Sequence, residues 1–457
     1  FSEWYYGPQK RFFISPQFKF FLGKEWMKKG TMTFAYQKVD ESRVNRKFGE
    51  IIRSNKLESV DVFSLNADFF GHSKGGHSYS YGLEWAQNKI NSRAYAFDLE
   101  LDFESITGFI NQRPIPSRYP DNGSSATSFA IYLNWIYELN KRLNLNAGLR
   151  LTSSSLNGNW NKIASVDKLL SSVKLDSKAL TYTLAITYRP NKKLQINGLL
   201  SSGFRNPNID DIGKIRENNG ILLVPNSFLK PEYAYTFESG IKIRSNNQKS
   251  YFDLRGFSTL VSRHIVRSNF IVFSDTSTED QNTIIYNGDE VLTQANKNLG
   301  NRFIYGLCVE SKLSLGSFMK LYGGVNFTSS DKNSDYGPMP SIAPFFGTFT
   351  FSRQYLKWSH FLIWKFSASK KPRDFSWGGE DGLNETPIID PNASLEIDRF
   401  YGMPTWNSFS LLAQYFFNEN IKLTFGLNNI FDIHYRTFAS GISSEGRSFQ
   451  LGVKVKF

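Results

Sequence analysis

Apolar and polar residues alternate along almost the whole chain, and this period of two constrains the fold more than any other feature. In NIKLTFGLNN, the apolar residues Ile421, Leu423, Phe425 and Leu427 fall at every second position, with polar or small residues between them. A β-strand turns successive side chains to opposite faces, so each such segment is a ribbon with one apolar face. Helical periodicity is nearly absent. The pattern predicts an all-β protein.

The alternation divides the chain into about seventeen strands joined by connectors of two kinds. The predicted strands lie near residues 10–22, 31–42, 57–70, 77–100, 125–139, 142–153, 177–189, 192–203, 231–245, 249–268, 298–314, 317–329, 341–354, 357–369, 404–418, 421–434 and 445–457. Tight turns near 140, 190, 247, 316, 355 and 419 alternate with loops at 101–124, 154–176, 204–230, 269–297, 330–340 and 370–403. Short turns at one end and long loops at the other are typical of outer-membrane barrels.

Strand length and polarity separate a membrane barrel from a soluble sandwich. A strand needs about 9–11 residues to cross a bilayer, whereas sandwich strands have about five or six. Many of the predicted strands have a length near or above the one needed to cross a bilayer. Arg150, Gln195 and Lys454 fall on the polar face, which suits a water-filled lumen but not a dry core. An open sheet in lipid would leave backbone groups unpaired, so the sheet must close. The fold class predicted is a transmembrane antiparallel β-barrel.

Composition excludes several other classes. No run approaches 18 consecutive apolar residues, so helical membrane spans are not expected. The net charge is +13, but the lysines are concentrated in predicted turns such as RPNKK and SNNQK, which argues against a nucleic-acid partner. The single cysteine, Cys308, allows neither an internal disulfide nor a thiolate metal cluster. GHSKG (71–75) fits a nucleophile-elbow pattern but joins two strands, so no catalytic residue is predicted.

Three stretches carry a resemblance to a known family. They are SSGFRNPNIDDIGK (201–214), NSFLKPEYAYTFESGIK (226–242) and GLNNIFDIHYRTFASGISSEGRSFQLGVKVKF (426–457). Together they resemble the late-barrel signatures of TonB-dependent outer-membrane receptors, in which a GFR-x-P strand end, an LKPE strand start and an N-x-F-D…Y…GR…F terminus occur in this order. The match is close in these stretches, and the strand rhythm fits the rest of the chain.

The resemblance implies a 22-stranded barrel with a plugged lumen. Counted back from Phe457, residues 1–457 would form the C-terminal portion of that barrel, with about 17 strands of the expected 22, from about strand six to strand twenty-two. The plug domain and the first strands would then lie outside this chain. The protein is expected in the outer membrane, with long loops extracellular and with short turns and the C-terminus periplasmic.

The resemblance also implies a function and partners. The expected activity is import of a scarce small ligand, an iron–siderophore complex or similar metal chelate, without catalysis, cofactor or resident metal. The partners implied are the TonB–ExbB–ExbD complex through the plug, outer-membrane lipid and lipopolysaccharide, and the barrel-assembly machinery through the last strand ending in Phe457. The alternatives are an accessory barrel subunit of a larger complex, a passive porin, and a heme receptor. Residues 208–230 contain no histidine where heme receptors of this family carry one.

In the family, extracellular loops bind the substrate, which here directs attention to the long loops above and to 435–446. The candidate substrate-binding residues are Arg205, Arg118, Tyr119, Trp377, Tyr401 and Arg447. Arg205, where a strand meets a long loop, has a guanidinium suited to a carboxylate, catecholate or phosphate group. The alternative is that Arg205 pairs with Asp210 or Asp211 and only fixes the loop. The other five residues also have purely structural alternatives. The acidic stretch 378–398 lacks EF-hand spacing and is expected to be a solvated loop, with a calcium site as the alternative.

Overall fold

The computed structural model describes residues 3–102, 105–161, 172–212, 215–218, 220–271, 283–286, 289–333 and 337–456, and nearly all of its regular structure is β-strand. The first strands are β1 (Glu3–Tyr6), β2 (Lys10–Ile14), β3 (Gln17–Phe21), β4 (Lys29–Arg46), β5 (Ile52–His72), β6 (His77–Asp102), β7 (Ser105–Pro114), β8 (Ser124–Asn140), β9 (Leu143–Asn159), β10 (Ser172–Tyr188), β11 (Leu194–Arg205), β12 (Arg216–Asn218) and β13 (Ile221–Leu223).

The later strands are β14 (Glu232–Arg244), β15 (Tyr251–Ser262), β16 (Ile265–Asn269), β17 (Thr283–Tyr286), β18 (Asp289–Asn298), β19 (Arg302–Leu315), β20 (Met319–Ser330), β21 (Lys332–Asn333), β22 (Gly337–Pro338), β23 (Phe346–Tyr355), β24 (Trp358–Ser367), β25 (Trp406–Phe416), β26 (Ile421–Asn428) and β27 (Ser448–Val455). The helical turns are α1 (Ile209–Ile212), α2 (Glu396–Arg399) and the 3₁₀ turns Pro372–Asp374 and Leu383–Glu385. Within the described residues no helix is both long and apolar enough to cross a membrane.

Twenty of the strands form one antiparallel sheet. β1, β2 and β3 all pair with β4 and share one position, while β7 pairs with the far end of β6 on the side where β8 pairs with its beginning. The sheet therefore has the seventeen strand positions that the alternation predicts. From β8 onward, each strand of this sheet pairs with the next one along the chain, and the last pair is β26 with β27. Over the described residues, the registers pair β27 with β26 and pair β1–β3 with β4.

Antiparallel pairing sorts the connectors by length. The turns 22–28, 73–76, 141–142, 189–193, 245–250, 316–318, 356–357 and 417–420 meet at one end of the sheet, the short-turn end. The connectors 206–231, 263–301, 331–345, 368–405 and 429–447 meet at the opposite end, the long-loop end. The asymmetry predicted from the sequence is confirmed, although the five-residue turn 47–51 also lies at the long-loop end and the predicted loop 101–124 contains β7. The GHSKG stretch consists of the last two residues of β5 and the turn that follows.

The two faces of the sheet differ as a lipid-facing and a water-facing surface do. Large apolar side chains are exposed on the outward face, among them Leu133, Leu149, Leu180 and Leu184. Aromatic side chains lie toward the short-turn end of this band, where Trp135 and Tyr137 stack with ring centroids 5.6 Å apart. The inward face is polar and its charges pair: Arg150 with Glu84, and Lys242 Nζ with Asp253 Oδ2 at 3.0 Å. Aromatic girdles around an apolar band mark membrane barrels.

The long loops carry a second sheet that the alternation does not predict. In it β13 pairs with β18 in parallel, and β12, β16 and β17 add antiparallel pairs. Beneath it lies a cluster of buried apolar residues: Leu156, Trp160, Val173, Ile209, Ile212, Ile215, Leu222, Val224, Leu229, Val291 and Ala295. The strand predicted near 249–268 is two strands. β15 ends at Ser262, and Arg263 (φ 58°) redirects the chain so that β16 joins this loop sheet.

Candidate binding site at the long-loop end

A cavity of about 570 Å³ lies between the loop sheet and two neighbouring loops. The loop sheet contributes one wall, and the connectors 331–345 and 368–405 contribute the other. Its lining includes Leu223, Arg267, Asn269, Gln294, Arg302, Pro338, Trp377 and Glu380. A cavity of this size matches the clefts that hold small ligands.

Trp377 is the large aromatic side chain of this cavity, and the sequence singled it out. The side chain is 67% exposed, and one side of its indole ring packs against the backbone at Gly337. A Cβ at Gly337 would come 2.5 Å from the indole ring, so only glycine allows this close approach, and the φ of +69° there also favours glycine. Arg302 is 2% exposed and donates to the Gly337 carbonyl at 3.1 Å. Arg302 thereby fixes the backbone on which Trp377 rests.

Some of the polar groups that line the cavity are already hydrogen-bonded within the protein. Glu380 accepts a hydrogen bond from Ser376 Oγ at 3.1 Å, and Gln294 Nε2 donates to Asn269 Oδ1 at 3.2 Å. Arg267 is exposed and forms no ion pair with any residue that the structure describes. The cavity therefore offers an available guanidinium beside an exposed indole, a combination that suits a ligand with anionic and planar groups.

Three of the predicted binding residues converge on the helical turn α1, not on the cavity. Arg205 Nη2 lies 2.6 Å from Asp211 Oδ1, which is the structural alternative considered for this residue. Arg118 Nη2 lies 3.4 Å from Asp210 Oδ1, and the Tyr119 hydroxyl donates to the same oxygen at 2.9 Å. Two acidic residues of α1 thus tie the loop before β8 and the end of β11 together.

Burial shapes the electrostatics of this cluster. The pKa of the Tyr119 phenol is raised by desolvation and, after that, by Asp210, so Tyr119 stays a neutral donor. Two nitrogens of Arg118, Nε and Nη1, are buried without a hydrogen-bond partner within the described structure. The cluster is a fixed support of the loop sheet, because the buried residues Ile209 and Ile212 carry α1 into the apolar cluster.

The remaining two predicted residues lie outside both groups. Tyr401 is exposed, and its backbone N–H donates to the Pro387 carbonyl at 2.8 Å. The backbone N–H of Arg447 donates to Asp432 Oδ1 at 2.6 Å, and neither residue lines the cavity. Arg267 was missed by the sequence analysis because it lies in a segment assigned to a barrel strand.

The acidic stretch 378–398 is not wholly solvated, contrary to the expectation from sequence. Asp381 is 2% exposed and pairs with Lys370 Nζ at 2.9 Å, while its other oxygen accepts from the Ser341 N–H at 2.7 Å. Desolvation lowers the pKa of Lys370, an effect that the bond to Asp381 opposes. The described residues contain no cluster of three histidine, cysteine or acidic side chains able to hold a metal ion.

His264 is the buried histidine nearest to this region. Its Nδ1 has no hydrogen-bond partner within the described structure, and the side chain sits where the chain leaves β15 for β16. Burial, helped by Arg302 and Arg205, lowers its pKa to about 4, so the imidazole is neutral at physiological pH. It does not line the cavity.

Comparison with known proteins identifies proteins similar to this chain in sequence and in structure. Hemoglobin-haptoglobin utilization protein B of Neisseria meningitidis serogroup C is 23% identical over 452 residues, covering 89% of this chain and 53% of that protein. The copper transporter OprC superposes with a TM-score of 0.75 at 15% identity, over 99% of this chain and 66% of that one. The Serratia marcescens hemophore receptor HasR, solved with hemophore HasA and heme, gives a TM-score of 0.63 at 17% identity, over 98% of this chain and 66% of that one.

The chain spans about half the length of the curated relatives that it matches across most of its own length. At these identities the structural likeness establishes the fold alone, a large antiparallel β-barrel. The family model for the TonB dependent receptor-like β-barrel matches residues 2–430. The chain therefore belongs to the TonB-dependent receptor β-barrel family.

Proposed function

We propose that this chain forms the barrel of an importer that captures an iron-bearing ligand at the long-loop end and passes it inward under TonB control. The observation that carries the proposal is the cavity beside Trp377 and Arg267, built on an anchored backbone at the mouth of the barrel. A receptor for a scarce ligand needs such a preformed site, because ordering loops on binding would cost affinity. The family match supports the transport role.

The proposal includes an orientation. The long-loop end, with its cavity and loop sheet, faces the outside of the cell, and the short-turn end faces the periplasm. In this proposal, the TonB–ExbB–ExbD complex supplies the energy that releases the ligand, and it acts through a plug domain. This route is the one that the family resemblance implies. Assembly through the last strand, ending in Phe457, belongs to the same proposal; Phe457 itself lies outside the described residues.

The favoured ligand is a small ferric chelate. An exposed indole and an available guanidinium fit the planar and anionic groups of such a chelator, and the cavity volume fits a small molecule better than a folded protein. The second candidate is heme, taken from a hemoprotein. It is favoured by the two Neisseria meningitidis relatives named for hemoglobin-haptoglobin utilization, each of which aligns with 89% of this chain.

Growth of an iron-starved strain that depends on this receptor distinguishes the candidates. The cells carry the wild-type receptor, the Trp377→Ala/Arg267→Ala variant, or the control Phe48→Ala, whose exposed ring lies outside the cavity. Ferric siderophores, hemin and hemoglobin are supplied separately as iron sources. We expect growth on one siderophore class, lost in the double variant and kept in the control. Growth only on hemin or hemoglobin would favour the second candidate, and growth on none of them would refute iron import.

A further inference from the structure

The strand β16 lies at the edge of the loop sheet, so one of its two sides is open. The order of the sheet is β12, β13, β18, β16. On its paired side, β16 runs antiparallel to β18, from Ile265 opposite Asn298 to Asn269 opposite Gln294. We call the side of β16 that faces away from β18 the open edge. Such an edge is a template for pairing with another chain, and proteins usually cover it.

The hydrogen bonds at the end of β16 show which backbone groups face the open edge. The Phe270 N–H donates to the Thr293 carbonyl at 2.9 Å, so these two residues form a hydrogen-bonded pair that continues the ladder. Bonded and non-bonded pairs alternate in an antiparallel ladder. The backbone groups of Ser268 therefore face β18, whereas those of Arg267 and Asn269 face the open edge.

A contact at the start of β16 agrees with this direction. The Ile265 N–H lies two positions before Arg267 and points the same way, and it donates to Glu232 Oε2 at 2.7 Å. Glu232 thus satisfies the first donor of the open edge. Within the described residues, no hydrogen bond engages the backbone N–H or carbonyl of Arg267 or Asn269. Two donors and two acceptors of the main chain are therefore available there.

The open edge lines the candidate cavity. The consecutive residues 266–269 all belong to the lining, so the cavity runs along the strand. The other wall includes Pro338 and Pro340, which have no N–H to donate, and the segment 376–380. Over the described residues, β18 is the strand that pairs with β16. The volume of about 570 Å³ leaves room for a ligand to extend the ladder.

We propose that the ligand binds in this cavity as an added strand, which makes the imported chelator a peptide with an extended backbone. Arg267 and Asn269 are two positions apart, about 7 Å, which is also the spacing of alternate residues in an extended peptide. A ligand segment of about three residues can therefore satisfy both of them. Strand addition of this kind derives affinity from main-chain hydrogen bonds and specificity from side-chain contacts.

The charge of the cavity adds one requirement on the ligand. Arg267 is exposed and forms no ion pair within the described residues. Opposite charges stabilise a cross-strand pair, so an acidic side chain of the peptide is expected opposite Arg267. The inference rests on the proposed import of a ferric chelate, and it names the chemical class of the chelator.

Residue-resolved hydrogen exchange of the intact receptor tests the added strand. The probe is the ferric complex of a linear hydroxamate peptide that contains an aspartate. Its matched forms are the same peptide with N-methylated backbone amides and a ferric catecholate without a peptide backbone. Without ligand, the Arg267 and Asn269 amides should exchange fast and the Ser268 amide slowly, because Ser268 bonds to β18. We expect only the first probe to slow exchange at Arg267 and Asn269, and the N-methylated peptide to bind about tenfold more weakly.

A proline substitution tests the same contact from the receptor side. Asn269→Pro removes an N–H that faces the ligand and that β18 does not use, a position at which an edge strand tolerates proline. Calorimetry should show about fivefold weaker binding of the ferric peptide. The control Glu217→Pro places proline in β12, at the opposite edge of the loop sheet and outside the cavity, and should bind like the wild type. Slow exchange at Ser268 verifies that the loop sheet is intact in both variants.

Several results would overturn the inference. Equal affinity for the peptide and its N-methylated form would show that the backbone of the ligand is not recognised. Protection of β16 by hemoglobin but not by the peptide would place the added strand in a protein instead of a chelator. Import of a catecholate by a receptor that does not bind the peptide would contradict the inference and leave iron import standing. Growth on no iron source would instead refute iron import itself.

Discussion

Individual side chains of the barrel are sorted by the face on which the strand places them. Leu423 and Thr424 are neighbours on β26, yet they point to opposite faces of the sheet. Leu423 is in register with Tyr415 and Val453, in the outward apolar set, whereas Thr424 is in register with Gln414 and Gly452 on the polar side. A charge at the first position enters lipid, and a charge at the second enters water.

This contrast gives a prediction at two adjacent positions. Leu423→Arg should impair barrel assembly, because arginine on the lipid face is destabilising. The cost is about 2–4 kcal/mol at the bilayer midplane and smaller toward the interface, and Leu423 lies two residues from the short-turn end of β26. Thr424→Arg introduces the same side chain toward the lumen and should be tolerated. The measurement is the yield of heat-modifiable receptor in the outer membrane. Equal yields for the two variants would show that the faces are assigned wrongly.

The sequence could predict which side chains are candidates for the binding site but not what those side chains contact. Arg205 was expected either to bind substrate or to pair with Asp210 or Asp211, and the structure shows the second contact, with Asp211. Trp377 was found from its place in a loop, but its neighbour Arg267 was not. The two are more than a hundred positions apart in sequence, and only the folding of the loop sheet brings them to one cavity.

Among the elements, the last long connectors are held together by one buried ion pair. Lys370 donates to Asp381 at 2.9 Å and to the Ile342 carbonyl at 2.8 Å, and its ammonium lies 4.2 Å from the ring centre of Phe438. Asp381 in turn accepts from the Ser341 N–H. The connectors 331–345, 368–405 and 429–447 therefore meet at this pair, which supports one wall of the candidate cavity.

Removing the carboxylate should release these connectors. Asp381→Ala leaves a buried ammonium unpaired, a change that typically costs about 3–5 kcal/mol. We expect limited proteolysis to cut the connector 368–405 much faster in this variant. The barrel should remain folded, as judged by its heat-dependent migration on gels. Asp398→Ala removes an exposed carboxylate from the same connector and should leave the cleavage rate unchanged. Equal rates in the two variants would show that the pair does not hold the loops.

The barrel elements were predictable from sequence because each crosses the membrane as a long alternating segment. The loop elements were not, since β12 and β13 have three residues each and depend on β18, about seventy positions later. Segments so short carry too little periodicity to be recognised. The same applies to β16, whose alternation continues that of β15 although Arg263 turns it into a different sheet.

The whole molecule is asymmetric along the barrel axis. One end has turns of two to seven residues, and the other carries the loop sheet, its apolar cluster and the candidate cavity. The proposed import needs this polarity, because capture and release would occur on different sides of the membrane. The antiparallel pairing fixes which connectors share an end, and only the direction of insertion is left to experiment.

Site-directed labelling in intact cells tests that direction. In a Cys308→Ser background, Ile442→Cys places a thiol at an 81%-exposed position of the long-loop end, and Lys249→Cys places one in an exposed short turn. A maleimide too large to cross the outer membrane should label the first variant in intact cells and the second only after the membrane is disrupted. The reversed pattern would place the cavity in the periplasm. It would remove the proposed capture site from the cell surface, because that site requires the long-loop end to face outward.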